Sequence, residues 1–181
     1  VRRLLDDPGY ADHFAQQWSG ILRNKRRGQK PRIPGTIAFH RWIRNAIAEN
    51  VPYDEFVRGV ITAAGNVSVN PPAQWYAEVR YLDRYVDDTA QVFLGMRIGC
   101  ARCHHHPFEK ISQEDYYGLA AFFGRVDRKG GAGVAERRAD ESIFVKPTGD
   151  VKHPLTGKVV APHGLGQQPL NIPAFEDPRH Y

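Results

Sequence analysis

Both cysteines of the chain and three of its eight histidines lie in one short stretch, GCARCHHHPFEK, at residues 99–110. Cys100, Cys103 and His104 form the pattern C-x-x-C-H, the attachment motif of a c-type haem. Two thiols three residues apart on a helical turn reach the two vinyl groups of one porphyrin edge, and the next residue directs its imidazole at the iron. The spacing therefore predicts thioether bonds from both cysteines and axial ligation of iron by His104.

Three other chemistries use the same residue types. Cys100, Cys103, His104 and His106 are four donors of the kinds that bind zinc, but structural zinc sites usually take two ligands from each of two separated loops. A thioredoxin-like redox pair follows a strand in a βαβ unit, whereas helices flank this segment. A disulfide is geometrically possible and leaves the histidines unexplained. We rank haem first, zinc second and the other two below them.

A haem also needs an apolar pocket, and its second axial ligand decides its function. Phe108 and Tyr116 are the candidate pocket residues, although an aromatic stripe at helical spacing is more often core. The only methionine, Met96, lies too close in sequence to the motif to reach the opposite haem face, so we expect no His/Met ligation. His106 and His40 are the candidate second ligands. An open position would instead permit small-molecule chemistry.

Helices are the elements expected to position this motif. Apolar residues at helical spacing predict five of them, at about 8–22, 38–50, 54–64, 78–94 and 112–124. Asp7 and Pro8 are the start of the first helix, and Asp54 is the expected cap of the third. Ser112 with Asp115 makes a capping box for the fifth, which ends at Gly124.

The chain changes character after the fifth helix. A polar, glycine-rich loop is followed by SIFVKPTGDVKHPLTGKVVAPHG, in which β-forming residues alternate with Gly and Pro turns. The fold class is therefore mainly α, with about five helices around the C-x-x-C-H segment, a small β-hairpin appendage and an irregular C-terminal tail. We divide the chain into a helical haem-c-type domain at 1–125 and an appendage at 126–181.

Composition and charge narrow the classes of partner. The 181 residues carry a formal net charge of +5 and contain no apolar run long enough to span a membrane. The basic stretch RNKRRGQKPR, residues 23–32, is interpreted as an exposed loop because no aromatics are interleaved with its charges. We expect no specific nucleic-acid binding. The first and last residues suggest a piece of a longer protein.

The sequence resembles a known family at three places: VPYDEFVRG, YLDRYVDDTAQVFLGMRIGCARCHHHPFEKISQEDYYGLAAFF and GDVKHPLTGKVV. These pieces are similar to the large multidomain cytochrome-type proteins of planctomycetes, specifically to the uncharacterised domain that precedes a second uncharacterised domain. The resemblance covers Leu4 to Arg179. The family's motif is approximately C-A-x-C-H-D-H-P-F-D, and this chain has His105 and Glu109 where the family usually has Asp.

The resemblance implies a haem and a multidomain architecture but no particular reaction. The expected function is that of a haem-c-binding domain of an exported redox protein, which passes electrons to other domains of the same polypeptide or to a redox partner. Haem-c attachment implies a periplasmic or otherwise extracytoplasmic location. The alternative is a non-redox interaction domain with structural zinc or a disulfide. A haem enzyme or gas-binding domain with an open distal site ranks third.

Overall fold

The protein is described by a computed structural model over residues 2–24, 34–130 and 141–181. These ranges contain seven α-helices: α1 Arg2–Leu5, α2 Pro8–Ile21, α3 Pro34–Ala48, α4 Tyr53–Ile61, α5 Gln74–Val79, α6 Leu82–Phe93 and α7 Gln113–Ala121. Three short strands, β1 Gly65–Asn66, β2 Val126–Lys129 and β3 Ser142–Val145, form one sheet in the order β1-β3-β2. The architecture is helix-rich with a small sheet, broadly compatible with the mainly α class.

Local side-chain chemistry sets where two helices start. The Asp7 carboxylate accepts a hydrogen bond from the Gly9 amide at 2.7 Å, so Asp7 caps α2 as predicted. Ser112 and Asp115 form the predicted capping box at the start of α7. Asp54 is not the cap of α4, because the helix begins one residue earlier and Asp54 lies in its first turn. A carboxylate there still interacts favourably with the helix dipole.

The fourth predicted helix is interrupted. Arg80 has a φ of 70°, in the left-handed region that ends a helix, so residues 74–93 form α5 and α6 instead of one continuous segment. The last predicted helix is shorter than expected, since α7 ends at Ala121 and not at Gly124. The amides of Phe122 and Phe123 donate to carbonyls three residues back, which tightens the end of this helix.

Chain contacts define two compact units, one of residues 1–79 and 128–144 and the other of residues 80–127 and 145–181. Each unit combines residues from before and after position 125. The boundary predicted from the sequence, between a helical domain at 1–125 and an appendage at 126–181, stays a prediction. In the first unit, α2 packs on α3, and β1 pairs antiparallel with β3 with Gly65 opposite Ile143. Trp42 stacks on Phe56 with 5.2 Å between ring centroids.

The second unit holds the C-x-x-C-H segment between α6 and α7. Its core includes Tyr85, Tyr116 and Phe123, and the rings of Tyr85 and Phe123 lie 6.0 Å apart. In the stretch where the sequence predicts a β-hairpin, Lys152 and Val159 form an isolated antiparallel bridge.

Two further expectations from the sequence concern a membrane-spanning segment and the basic loop. Within the described ranges, no helix has the length and apolar character needed to cross a membrane. Residues 25–32 of the basic loop predicted at 23–32 lie outside the described residues.

Candidate functional site

Cys100 lies in a single tight turn of helix, the 3-10 segment Gly99–Arg102, and Cys103 is the residue that caps its C-terminal end. The amides of Cys103 and His104 both donate to the Cys100 carbonyl, at 3.2 and 3.3 Å. Ala101 is fully buried, while Cys100 and Cys103 are exposed free cysteines. The turn therefore anchors itself through Ala101 and presents both thiols to the outside.

The imidazole of His104 is held in one tautomer. Its Nδ1 lies 2.7 Å from the carbonyl oxygen of His105, and a carbonyl can only accept, so Nδ1 carries the proton. In the neutral ring the other nitrogen, Nε2, then has a free lone pair, as an imidazole that binds a metal requires. His104 is exposed, so this nitrogen is accessible.

The next two histidines have the opposite assignment. The Nδ1 atom of His105 accepts from the Gln113 amide at 3.1 Å, and that of His106 accepts from the Glu109 amide at 2.9 Å and the Phe108 amide at 3.3 Å. An acceptor Nδ1 is unprotonated, so in the neutral ring the proton sits on Nε2. Of the three adjacent imidazoles, only that of His104 has an unprotonated Nε2 with a free lone pair in its neutral form.

The first two turns of α7 hold the peptide chain of the motif. The Gln113 side-chain amide donates to the Arg102 carbonyl at 2.9 Å, and the Tyr117 hydroxyl donates to the same oxygen at 3.1 Å. Burial raises the pKa of Tyr117, and the positive charge of Arg102 opposes this effect in part. Tyr117 therefore lies beside the second thiol as a neutral donor.

A second contact ties the motif to α6. The guanidinium of Arg102 donates to the Asp83 carboxylate at 2.7 Å, and this charge raises the pKa of Arg102. Arg102 is thus bound through its side chain to α6 and through its carbonyl to α7. The ion pair is solvent-exposed, so its own contribution to stability is small.

Two buried polar atoms lie behind the turn without a hydrogen-bond partner, Asp87 Oδ1 and Tyr116 Oη. A methyl group added at Gly99 would lie 3.5 Å from this Asp87 oxygen, which places the carboxyl group against the start of the turn. Burial and then the Asp83 charge raise the pKa of Asp87. Burial and then the Asp87 charge raise the pKa of Tyr116, so its phenol stays protonated.

The other predicted site residues differ in exposure and in the unit to which they belong. Tyr116 is buried in the core of the second unit, whereas the Phe108 side chain is 90% exposed. His40 belongs to α3 in the first unit, where its Nδ1 lies 2.8 Å from the Ser19 hydroxyl. Met96 is half-buried and its amide donates to the Ala90 carbonyl at 2.9 Å. Cys100, Cys103 and His104 are neighbours in the sequence, at or just after the 3-10 turn, and the roles of all the predicted site residues stay predictions.

The four donors of the zinc alternative, Cys100, Cys103, His104 and His106, lie within seven residues of one another in the sequence. Among the residues that the structure describes, no three His, Cys, Asp or Glu side chains form a group able to hold a metal ion. The fourth of these donors is His106, whose Nδ1 already accepts hydrogen bonds from two backbone amides.

Sequence reasoning missed the residues that hold the motif in place: Asp83, Gln113 and Tyr117. None of them carries a recognisable signal, since polar side chains in the first two turns of a helix are ordinary. Their roles depend on how α6 and α7 pack around the turn, which spacing along the chain does not reveal.

The fold and the site define a helix-rich domain with an outward-facing C-x-x-C-H turn. Residues 1–128 match the family described as "PSCyt2: Protein of unknown function (DUF1549)", and the chain belongs to this uncharacterised family. No curated protein and no solved structure matches the chain.

Proposed function

We propose that this chain is a haem-c-binding domain that carries electrons within a larger exported redox protein. The observation that carries the proposal is the combination of two exposed free thiols on one turn with an adjacent His104 whose Nε2 is free. Covalent attachment needs both thiols accessible from the same side. Ligation of iron needs an unprotonated imidazole nitrogen.

The residues present fit a c-type haem in their chemistry. Cys100 and Cys103 would form the two thioethers, and His104 would bind the iron through Nε2. The exposed ring of Phe108 is available to cover an apolar face, a role we keep as part of the proposal. When bound, the haem supplies a one-electron Fe(III)/Fe(II) couple whose potential depends on its second axial ligand.

The protein's own contribution is to orient the proximal imidazole. The His105 carbonyl accepts the Nδ1 proton of His104, which fixes the ring orientation and increases the electron density on Nε2. The Gln113 and Tyr117 donors fix the peptide that precedes Cys103. Among the described residues, no contact identifies a second axial ligand.

The expected partners follow from attachment chemistry and from the resemblance noted above. A haem-c domain receives and delivers electrons, so other domains of the same polypeptide or a separate redox protein are the partners we propose. Covalent haem attachment takes place outside the cytoplasm, so we also propose an extracytoplasmic location.

The proposal is tested by expressing the chain behind an export signal in a host with a haem-c maturation system. We expect a red protein whose reduced visible spectrum shows the sharp bands of a c-type haem. The Cys100→Ala/Cys103→Ala double variant should be colourless after denaturation. A colourless wild-type chain with stoichiometric zinc by elemental analysis would instead support the metal-site alternative.

A further inference from the structure

Gln113 is the residue of α7 that contacts the motif twice. It is the first residue of the helix and only 5% exposed. Its backbone amide donates to His105 Nδ1, and its side-chain amide donates to the Arg102 carbonyl. A buried side-chain amide must be paired, and here the pairing is with the chain between the two cysteines.

The two contacts act on opposite sides of His104. The Arg102 carbonyl belongs to the peptide that joins Arg102 to Cys103, so fixing it orients the second thiol. The His105 ring is anchored next to the peptide whose carbonyl accepts the His104 Nδ1 proton. One residue therefore constrains both the attachment point before His104 and the hydrogen-bond acceptor after it.

The second donor to Arg102 strengthens this arrangement. Tyr117, one turn along α7, places its hydroxyl 3.1 Å from the same carbonyl, so both lone pairs of that oxygen have a donor. The two bonds come from one rigid helix, whose start is itself fixed by the Ser112 and Asp115 capping box. The capping box therefore fixes the start of α7, the helix that carries both donors to the motif.

We propose that Gln113 is the positioning residue of the haem attachment turn, presenting both thiols and the His104 ring in one fixed arrangement. This inference rests on the proposed haem function for its meaning. Its structural content, an attachment turn held by the first residue of α7, is independent of haem.

Two substitutions separate the contacts. Gln113→Leu removes the side-chain donor and keeps the backbone amide. Gln113→Pro also removes the amide that reaches His105. Proline is favoured at the first position of a helix, and the extended conformation of Ser112, with ψ at 166°, is compatible with a following proline. Both variants should therefore keep α7.

The haem-free chain gives the first readout, amide hydrogen exchange at Cys103 and His104, whose amides bond to the Cys100 carbonyl. One net hydrogen bond shifts a local equilibrium by roughly twofold to tenfold. We expect protection at these amides to fall by about that factor in Gln113→Leu and further in Gln113→Pro. Glu114→Gln, an exposed neighbour, is the matched control and should leave protection unchanged.

The matured protein gives the second readout. A purely structural defect would lower the yield and leave the spectrum and reduction potential of the folded fraction unchanged. We expect Gln113→Pro to shift both, with a smaller shift in Gln113→Leu. Wild-type protection and a wild-type potential in both variants would overturn the inference. A wild-type chain that takes up no haem would refute the proposed function instead, and hydrogen exchange would still decide the role of Gln113.

Discussion

His104 and His106 should respond to substitution in opposite ways, because only His104 has a free Nε2. His106 accepts two backbone hydrogen bonds through Nδ1, from the Phe108 and Glu109 amides. Each such bond contributes about 0.5–1 kcal/mol net at a half-buried site, so His106→Ala should lose about 1–2 kcal/mol of unfolding free energy. For a chain of this length that lowers the melting midpoint by roughly 2–8 °C.

His104→Ala should instead leave the stability nearly unchanged and alter the haem spectrum. The ring is exposed and makes one local bond, so its loss should cost less than about 0.5 kcal/mol. The haem would still be attached through the thiols but would lose its proximal nitrogen. Thermal melts of the haem-free variants and visible spectra of the matured variants measure the two effects separately.

An isosteric pair sharpens the comparison at position 106. In His106→Asn the amide oxygen can take the place of Nδ1, whereas in His106→Gln the polar group lies further from the backbone. We expect Asn to recover most of the stability lost in the Ala variant and Gln to recover little. If His106→Ala changed the haem spectrum and spared the melting midpoint, the tautomer assignment would be wrong.

Three further predictions concern other residues of the second unit. Met96→Leu should cost under about 1.5 kcal/mol and leave the Soret band unchanged, with no near-infrared band from a sulfur–iron bond in either protein; a sharply lowered reduction potential would identify Met96 as the ligand. Gly118→Ala should destabilise the chain by about 1–3 kcal/mol, because the added methyl group would lie 2.1 Å from the His163 ring; chemical denaturation should show partial recovery when His163→Ala is added. Burial alone would raise the pKa of Asp115, but hydrogen bonds from Ser112 and the Gly166 amide hold this pKa below its usual value. As the pH falls, the unfolded chain therefore binds this proton before the folded chain does, and the folded state loses stability below about pH 4. In Asp115→Asn the unfolding free energy should fall less steeply over this pH range.

The sequence was most informative where local chemistry decides the structure. The Asp7 cap and the Ser112 capping box are contacts between residues two or three positions apart, and both are present as predicted. The helix predicted at 38–50 also has apolar residues in the core, since Phe39 and Ile43 are fully buried. The C-x-x-C-H turn lies between two helices, as its flanking periodicity indicated.

Contacts between distant segments decided the rest. In α2 the buried residues are Ala11, Ala15 and Ser19, while the larger apolar residues Phe14 and Ile21 are exposed. Small residues allow the close approach of α3, a requirement that apolar periodicity does not express. The strand at Gly65 has no strand signal of its own and exists because it pairs with Ile143.

The candidate site divides in the same way. The motif itself was visible because its residue types and spacing are specific. The tautomer of His104 was not, since it depends on where the next carbonyl points. The break at Arg80 was also hidden, because an arginine with positive φ is uncommon and no glycine marks the position.

Intact mass spectrometry under denaturing conditions is the most direct test of covalent haem attachment. The wild-type chain, exported and matured alongside a known c-type cytochrome as a control, should carry one haem per chain that survives denaturation, with no free thiol left at Cys100 or Cys103. Single Cys→Ala variants should keep one thioether at most. An unmodified wild-type mass with both thiols free, from a host that matures the control cytochrome, would contradict the proposed function.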